Sequence, residues 1–442
     1  MPQRCLLLLL DGLGDRGHAE LDGRSPLQAA YTPVLDGMAA SGSNGLFHAL
    51  GPGRALPSEL AHWLMWGYSQ AAFPGRGAIE ALGHGLDMGP EDVAIMARLV
   101  HVEQEQGCLR LVKDTPRQTG PGDLQELAAA LPDLELEGMR LRFEHIKGLH
   151  GLLLLRSAGG VPSPLITDTN PIRDGAWLIE PKPLAEAGND RAATLTARAL
   201  KHYLLEAHKV LRGHGVNRKR EAAGLAPLNA LATQRAGRLA MPRPFAARTG
   251  LKGAVIGSGG LFRGLARLTG MTFIEARDSD DPGRDMAKRL ELARAALKEH
   301  AFVHVHTKAP DVAAHTKVCR HKQRVIEALD QGLEALPAMA GDPGLLVAVT
   351  ADHSTPSSGA LIHSGEPVPL LVHGQGVRRD EVQRFDEVAA ASGALGFLRG
   401  SDLLHTLLDF LDRSRLVGLR DTPRTFDDAP AWPGEYEPFS LE

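Results

Sequence analysis

Cysteine is scarce: three residues in 442, Cys5, Cys108 and Cys319. An odd number so widely spaced argues against a disulfide framework and leads us to expect a reducing cytoplasm. Long apolar runs are missing too. Leu6–Leu10 is too short to span a bilayer and Asp11 ends it at once, while a signal peptide needs a longer apolar region and a small-residue cleavage site. The run therefore reads as a buried first strand, with no membrane association expected. An excess of one charge is also absent: 49 Lys and Arg stand against 53 Asp and Glu, a net charge of −4. Nucleic acid usually attracts a clearly basic domain, so no such partner is expected. No internal repeat is visible, and no feature specifies an oligomeric state. What remains is an ordinary globular composition, 43% hydrophobic and 23% charged. The length suits two domains, or one large core with an insertion.

The most informative stretch lies near the C-terminal end. Val347–Val349 is a short β-branched run that feeds through Thr350-Ala351 into Asp352-His353, then into a Ser/Gly/Pro loop carrying His363. Ligands of α/β sheets collect beyond the carboxyl ends of strands, and Asp and His are ligand types of hydrolytic metal centres. Alone, such a pair is as well explained by a helix-capping Asp and a surface His. Two other places end the same way, however. Cys5–Leu10 runs into Asp11-Gly12-Leu13-Gly14-Asp15, and Phe302–His306 runs into Lys308, Asp311 and His315. Three carboxylates and three imidazoles, with a hydroxyl at Ser58, suffice for two divalent cations in one cleft. Two such cations about 3.5–4 Å apart can deprotonate a serine and stabilise a phosphoryl oxygen during in-line displacement. Ser58 is placed at the N-cap of a helix with Leu60, Leu64 and Met65 as its stripe, where backbone N–H groups would favour a phosphate. Asp311, His315 and Cys319 fall at helical spacing, but Cys319 is read as a small buried hydrophobe and left out of the site.

Between these motifs the rhythm alternates strand and helix, which predicts an α/β core with a largely parallel sheet flanked by helices. Thr32-Pro33 opens a helix. Arg284–His300 is amphipathic through Met286, Leu290, Ala293 and Leu297, and Val318–Leu336 through Val325, Leu329, Leu333 and Leu336. Gly257-Ser258-Gly259-Gly260 fails the dinucleotide spacing and reads as a strand-to-helix turn. From Val93 to Leu155, short strands surround one helix, Asp123–Leu131. This predicts a smaller α+β cap inserted into the core, closed by a linker at Gly159–Pro164. The expected organisation is a first core segment at 1–92, the cap at 93–165, and a return segment with a long helix at 166–240. A second core segment at 241–421 and a tail at 422–442 complete it. The basic run Asn217–Arg220 is read as solvated surface.

Taken in order, Asp11–Asp15, Ser58-Glu59-Leu60-Ala61-His62, Gly75-Arg76-Gly77, Glu80–Gly83, Val216-Asn217, Gly224–Asn229, Asp311–His315, Asp352-His353 and His363-Ser364-Gly365 resemble the archaeal type of cofactor-independent phosphoglycerate mutases, members of the alkaline-phosphatase superfamily. The resemblance spans nearly the whole chain. It implies a metal core with an inserted cap, and a serine that is transiently phosphorylated. Asp311, His315 and His363 would hold one metal; Asp11, Ser58, Asp352 and His353 would hold the other. Lys308 would neutralise the transferring phosphate, with Mn²⁺ the usual metal and Mg²⁺, Zn²⁺ or Co²⁺ as substitutes. The implied reaction interconverts 3-phosphoglycerate and 2-phosphoglycerate through Ser58, so a small phosphorylated substrate is the expected partner.

This chain departs from the family pattern in places. Pro57 precedes Ser58, and Ala314 and Thr316 flank His315. An arginine expected after Ala-Phe is replaced within Ala94-Ile95-Met96-Ala97, with Arg98 nearby. An Asp-Arg-Arg stretch becomes Asp114-Thr115-Pro116-Arg117, and a Ser-Asp-Thr-Asp-Pro-His segment becomes Thr167-Asp168-Thr169-Asn170-Pro171-Ile172. Forked arginine contacts are the usual means of holding carboxylate and phosphate, so Arg98, Arg173, Arg235 and Arg238 are the substrate-binding candidates. Asp168 is the acid/base candidate. Two further readings stay open: a phosphatase or divergent mutase acting on another phosphate ester or phosphonate, and a non-catalytic metal-binding partner protein. A sulfatase lacks support, because no Cys-x-Pro-x-Arg context is present.

Overall fold

The computed structural model describes residues 2–116, 120–416, 418 and 438–441. The first seven strands are β1 (Arg4–Leu10), β2 (Ser43–His48), β3 (Val93–Glu105), β4 (Cys108–Lys113), β5 (Leu134–Leu136), β6 (Met139–Lys147) and β7 (His150–Ser157). The next seven are β8 (Ala230–Arg238), β9 (Gly253–Gly257), β10 (Thr272–Glu275), β11 (Phe302–Thr307), β12 (Leu345–Thr350), β13 (Val368–His373) and β14 (Gly396–Arg399). The chain forms two compact units, one from Met1–Phe73 with Pro242–Glu442, the other from Pro74–Met241.

The larger unit is built on an eight-stranded sheet in the order β10-β9-β11-β1-β12-β13-β2-β14. Its first five strands are parallel, β13 runs against β12 and β2, and β14 is parallel to β2. Cys5–Leu10 is buried throughout. An unbroken apolar run of this kind is what a strand covered on both faces requires. In register, Leu10 lies beside Thr307 and Leu9 beside Thr350. The three chemistry-bearing strand ends are therefore neighbours at the carboxyl ends of the central parallel strands, which is why residues about three hundred positions apart meet.

The first of the two amphipathic helices follows its predicted face. Pro282–Ala296 buries Met286, Leu290 and Ala293 and packs against Cys319–Gly332. The second helix differs from expectation. It stops at Gly332, and it buries Ile326 and the charged Lys322, while Val325 is only half-buried. Cys319 is buried as expected, on a helix separate from Ala309–His315, so the helical spacing from Asp311 to Cys319 is broken at Thr316–Val318.

The smaller unit holds a six-stranded sheet in the order β4-β3-β7-β6-β5, with β8 paired to β3. Its core joins Ile95, Leu99, Leu141 and Leu153 of the strands to Leu200, Tyr203 and Leu211 of the long helix Arg191–Gly213. Because β8 pairs with β3 across Val93–Val100 and this helix covers the sheet, residues 166–240 group with the smaller unit rather than forming a return segment. Gly159–Pro164 likewise lies inside it, with Gly160 N donating to Gly138 O at 2.9 Å. The run Asn217–Arg220 is not a solvated surface throughout. Asn217 and Arg220 are buried, and Asn217 Nδ2 donates to Leu211 O and Leu228 O at 2.7 and 3.1 Å. Only Arg218 and Lys219 are exposed. Most of the expected tail at 422–442 lies outside the described residues, as does Arg117.

Candidate metal centre

The helix Ser58–Met65 begins one residue earlier than its capping pattern suggests. Pro57 occupies the N-cap in extended conformation and makes no side-chain cap bond, so Ser58 is the first helical residue. Its hydroxyl turns instead into the larger unit, where Oγ lies 3.1 Å from His353 Nε2 and 3.4 Å from Asp11 Oδ2. Around it, Asp11, Asp352 and His353 are all buried. His353 Nε2 is 3.3 Å from Asp352 Oδ2 and 3.5 Å from Asp11 Oδ1. On the adjacent side, Asp311 Oδ1 meets His315 Nε2 at 3.2 Å and His363 Nε2 at 3.6 Å. Lys308 Nζ bridges the two halves, 3.2 Å from Asp311 Oδ2 and 3.4 Å from Asp11 Oδ2.

Gly12 makes this approach possible. Its φ of +67° is the left-handed region, and a Cβ there would stand 2.6 Å from Thr355 Oγ1 and 2.8 Å from Asp311 Cβ. Its amide donates to Asp352 Oδ1 at 3.1 Å.

The electrostatics are those of a cation site. Burial, followed by the negative charge of Asp11, holds the Asp352 carboxyl well above the usual carboxylate range. Burial acts to raise Asp11 too, yet Lys308 and the hydrogen bond from His306 keep it below that range. Burial pushes the His353 imidazole down to about 3, so it is neutral and able to offer a lone pair. Asp11 Oδ1 and Asp352 Oδ2 are buried with no hydrogen-bond partner. Buried acceptors of that kind are costly unless something positive completes them. Two sets of side chains bring their ligand atoms within 4.8 Å of one another: Asp311, His353 and His363, and Asp11, Asp352 and His353. Oxygen and nitrogen donors in this mixture fit a divalent metal.

Comparison with known proteins accords with this arrangement. Residues 3–409 match the family model described as the metalloenzyme superfamily. The chain is 36% identical over 425 residues to 2,3-bisphosphoglycerate-independent phosphoglycerate mutase 2 of Methanocaldococcus jannaschii, covering 95% of this chain and 96% of that one. It is 36% identical over 427 residues to the Methanopyrus kandleri protein named 2,3-bisphosphoglycerate-independent phosphoglycerate mutase, covering 95% and 99%. The chain belongs to this mutase family. Among solved structures, the cofactor-independent phosphoglycerate mutase of Thermoplasma acidophilum superposes with a TM-score of 0.60 at 29% identity, over 92% of this chain and all of that one. The PH0037 protein of Pyrococcus horikoshii gives 0.73 at 27% identity, over 95% and 100%.

The candidate substrate residues lie in the smaller unit. Arg98 is ion-paired with Asp114, which also accepts from Asn170 Nδ2 at 2.9 Å. Asp168 accepts from the Arg235 amide at 2.6 Å, and burial raises its carboxyl despite that bond. Arg235 itself sits at φ +56°. Arg238 donates to Pro162 O, and Arg173 is exposed. The structure thus joins Arg235 to Asp168 and Arg98 to Asp114, while Arg238 is held by a carbonyl.

Several residues of the metal centre were not singled out from the sequence. His306 Nε2 lies 2.9 Å from Asp11 Oδ2, and His62 Nδ1 lies 2.8 Å from Ser58 O. His363, which the sequence did single out, has Nδ1 on Leu56 O at 2.8 Å. The signal for His306 was present, since it belongs to the strand that delivers Lys308. For Thr355 and Lys322, both buried beside the centre, residue type pointed elsewhere: a hydroxyl in a turn and a lysine on a helix.

Proposed function

We propose that this protein interconverts 3-phosphoglycerate and 2-phosphoglycerate through a phosphoserine at Ser58. The observation that carries the reading is the buried Ser58 hydroxyl at the start of a helix, set between Asp11 and His353 beside a cluster of three aspartates and two histidines, with the exposed His315 3.2 Å from Asp311. Asp311, His315 and His363 would hold one divalent metal, and Asp11, Ser58, Asp352 and His353 a second, with Mn²⁺ the first choice. Such ions, when bound, supply the positive charge that eases deprotonation of a serine and stabilises phosphoryl oxygens.

The chain's own residues do the rest. Ser58 Oγ attacks phosphorus as the bond from phosphorus to the glycerate oxygen breaks. His353 Nε2 and Asp11 Oδ2, 3.1 and 3.4 Å from Oγ, are the acceptors within reach of its proton. Lys308, kept charged by Asp11 and Asp311 against its burial, offsets the charge on the transferring group. Asp168, with its raised carboxyl, is the proposed acid/base group for the two glycerate hydroxyls, protonating the departing oxygen and deprotonating the one that returns. Arg98, Arg173, Arg235 and Arg238 are the proposed anchors for carboxylate and phosphate. The second half-reaction reverses the first: the other hydroxyl attacks, the bond from Ser58 to phosphorus breaks, and Oγ regains its proton. We assign the smaller unit the role of a cap that keeps water from the phosphoserine. The cytoplasm is the proposed compartment, and among the described residues no helix is long and apolar enough to cross a membrane.

The test supplies Mn²⁺-loaded protein with 3-phosphoglycerate and tracks 2-phosphoglycerate and free phosphate together. Formation of 2-phosphoglycerate that disappears in Ser58→Ala is the expected result. Free phosphate alone would make the protein a phosphatase, and no turnover with metal bound would overturn the substrate assignment.

A further inference from the structure

Thr355 is fully buried in the loop beyond β12, and its hydroxyl stands between two groups of the metal centre. Oγ1 donates to Asp311 Oδ1 at 2.8 Å and lies 3.2 Å from His353 Nδ1. A hydroxyl carries one proton. Asp311, with Lys308 Nζ 3.2 Å away, is a carboxylate that only accepts, so the proton of Thr355 points there. What Oγ1 presents to His353 Nδ1 is then a lone pair, and the imidazole must supply the hydrogen. A neutral imidazole protonated at Nδ1 has its free lone pair on Nε2. That is the atom 3.1 Å from Ser58 Oγ and 3.5 Å from Asp11 Oδ1.

We infer that Thr355 is a positioning residue that fixes His353 as the Nδ1-protonated tautomer and aims its Nε2 lone pair into the centre. The inference rests on the reading that His353 is a metal ligand. The loop leaves the hydroxyl little choice of place. Thr355 N donates to Gly14 O at 2.9 Å, and its carbonyl accepts from Lys322 Nζ at 2.9 Å. Gly12 leaves the space that Oγ1 fills. His363, stacked on His353 with ring centres 3.8 Å apart, is oriented in parallel fashion, with Nδ1 on the Leu56 carbonyl. A carbonyl can only accept, so His363 too carries its proton on Nδ1. Thr355 differs in also holding Asp311, which ties a ligand from the end of β11 to one from the end of β12.

The experiment uses full-length protein with ¹⁵N-labelled histidine, first metal-free and then titrated with Mn²⁺ by calorimetry. His353 is expected to be protonated at Nδ1 in the native chain and in Thr355→Ser, and to lose that preference in Thr355→Val. Removing a partner that orients a metal ligand typically costs about 10–100-fold in affinity, so Thr355→Val should weaken Mn²⁺ binding by roughly that factor while Thr355→Ser restores it. Protonation at Nε2 in the native metal-free protein would overturn the inference without any variant, as would native Mn²⁺ affinity in a folded Thr355→Val. These readouts involve no substrate, so a wrong phosphoglycerate assignment would leave them unchanged.

Discussion

Lys322 Nζ lies 3.2 Å from Asp15 Oδ2 with both side chains fully buried. The ammonium also donates to Gly14 O at 2.8 Å and Thr355 O at 2.9 Å, so all three of its protons are used. Asp15 in turn accepts from Ser357 N and Oγ. One ion pair therefore pins the loop after β1 to the loop after β12, beside the candidate metal ligands. Removing one partner of a buried pair leaves the other charge uncompensated, at a cost of about 3–5 kcal/mol. Lys322→Met should lower unfolding stability by about that amount in urea titrations, and the double variant with Asp15→Asn should recover part of it.

Glu387 belongs to the same cluster, accepting from Ser25 Oγ at 2.7 Å and from Asp15 N at 3.2 Å. Burial pushes its carboxyl from 4.5 up to about 6. The folded protein therefore holds this proton more tightly than the unfolded chain. Its contribution to stability is fully present below about 4.5 and is lost as pH rises through about 6. The loss is roughly 2 kcal/mol. Glu387→Gln keeps an acceptor and removes the charge. It should flatten the stability profile across that window and leave the protein more stable at neutral pH, as measured by denaturant midpoints.

Gly12→Ala should damage the centre itself. The left-handed backbone costs about 1–2 kcal/mol for a residue with a Cβ. The added carbon would also press on Thr355 Oγ1 and Asp311. We expect Mn²⁺ binding by calorimetry to weaken together with thermal stability. Loss of stability alone, with native affinity, would contradict this packing.

Metal removal should be visible in the unfolding of the native chain. A ligand that binds only the folded state at about 100 times its Kd adds roughly 2.7 kcal/mol per site. Chelation of a Mn²⁺-saturated sample should therefore lower the denaturant midpoint. Asp352→Asn should reduce that difference, because it removes one of the two unpartnered buried oxygens.

In the smaller unit, Asn217→Ala should be destabilising by roughly 2–4 kcal/mol, since it strands two buried carbonyls and the Leu228 amide. Arg218→Ala, on the exposed side of the same turn, should be close to neutral. Comparing the two by thermal unfolding separates the buried from the solvated part of the basic run.

The candidate metal centre was largely legible in the amino-acid sequence because a parallel strand announces itself as an apolar run, and the loop at its carboxyl end carries the candidate side chains. Asp11, Lys308, Asp311, Asp352 and His353 could all be found in this way, and the sheet brings their strands side by side. Ser58 was found, but its expected capping role was wrong, because Pro57 takes the capping position and the hydroxyl has better partners in His353 and Asp11. Asn217 and Arg220 were misread, and Lys322 was passed over, for one shared reason. Charged and amide side chains signal solvent by their type, and only the three-dimensional placement of carbonyls such as Gly14, Leu211 and Ala226 shows that they are satisfied inside. The extent of the smaller unit was obscured similarly, since β8 reaches β3 across more than a hundred residues and nothing local marks that pairing.

The place of β1 in the middle of its sheet also sets the order of assembly on the ribosome. Its two neighbours, β11 and β12, are translated roughly three hundred residues later. Until then, Leu6–Leu10 has no sheet to enter, whereas residues 74–241 have all six strands of their own at hand. Domains fold as units during synthesis, and distant pairings form slowly. The smaller unit is therefore complete while the first strand still waits, an apolar segment in need of shielding. The centre that gathers Asp11, Ser58, Asp311 and His363 closes only once the loop beyond β12 has emerged.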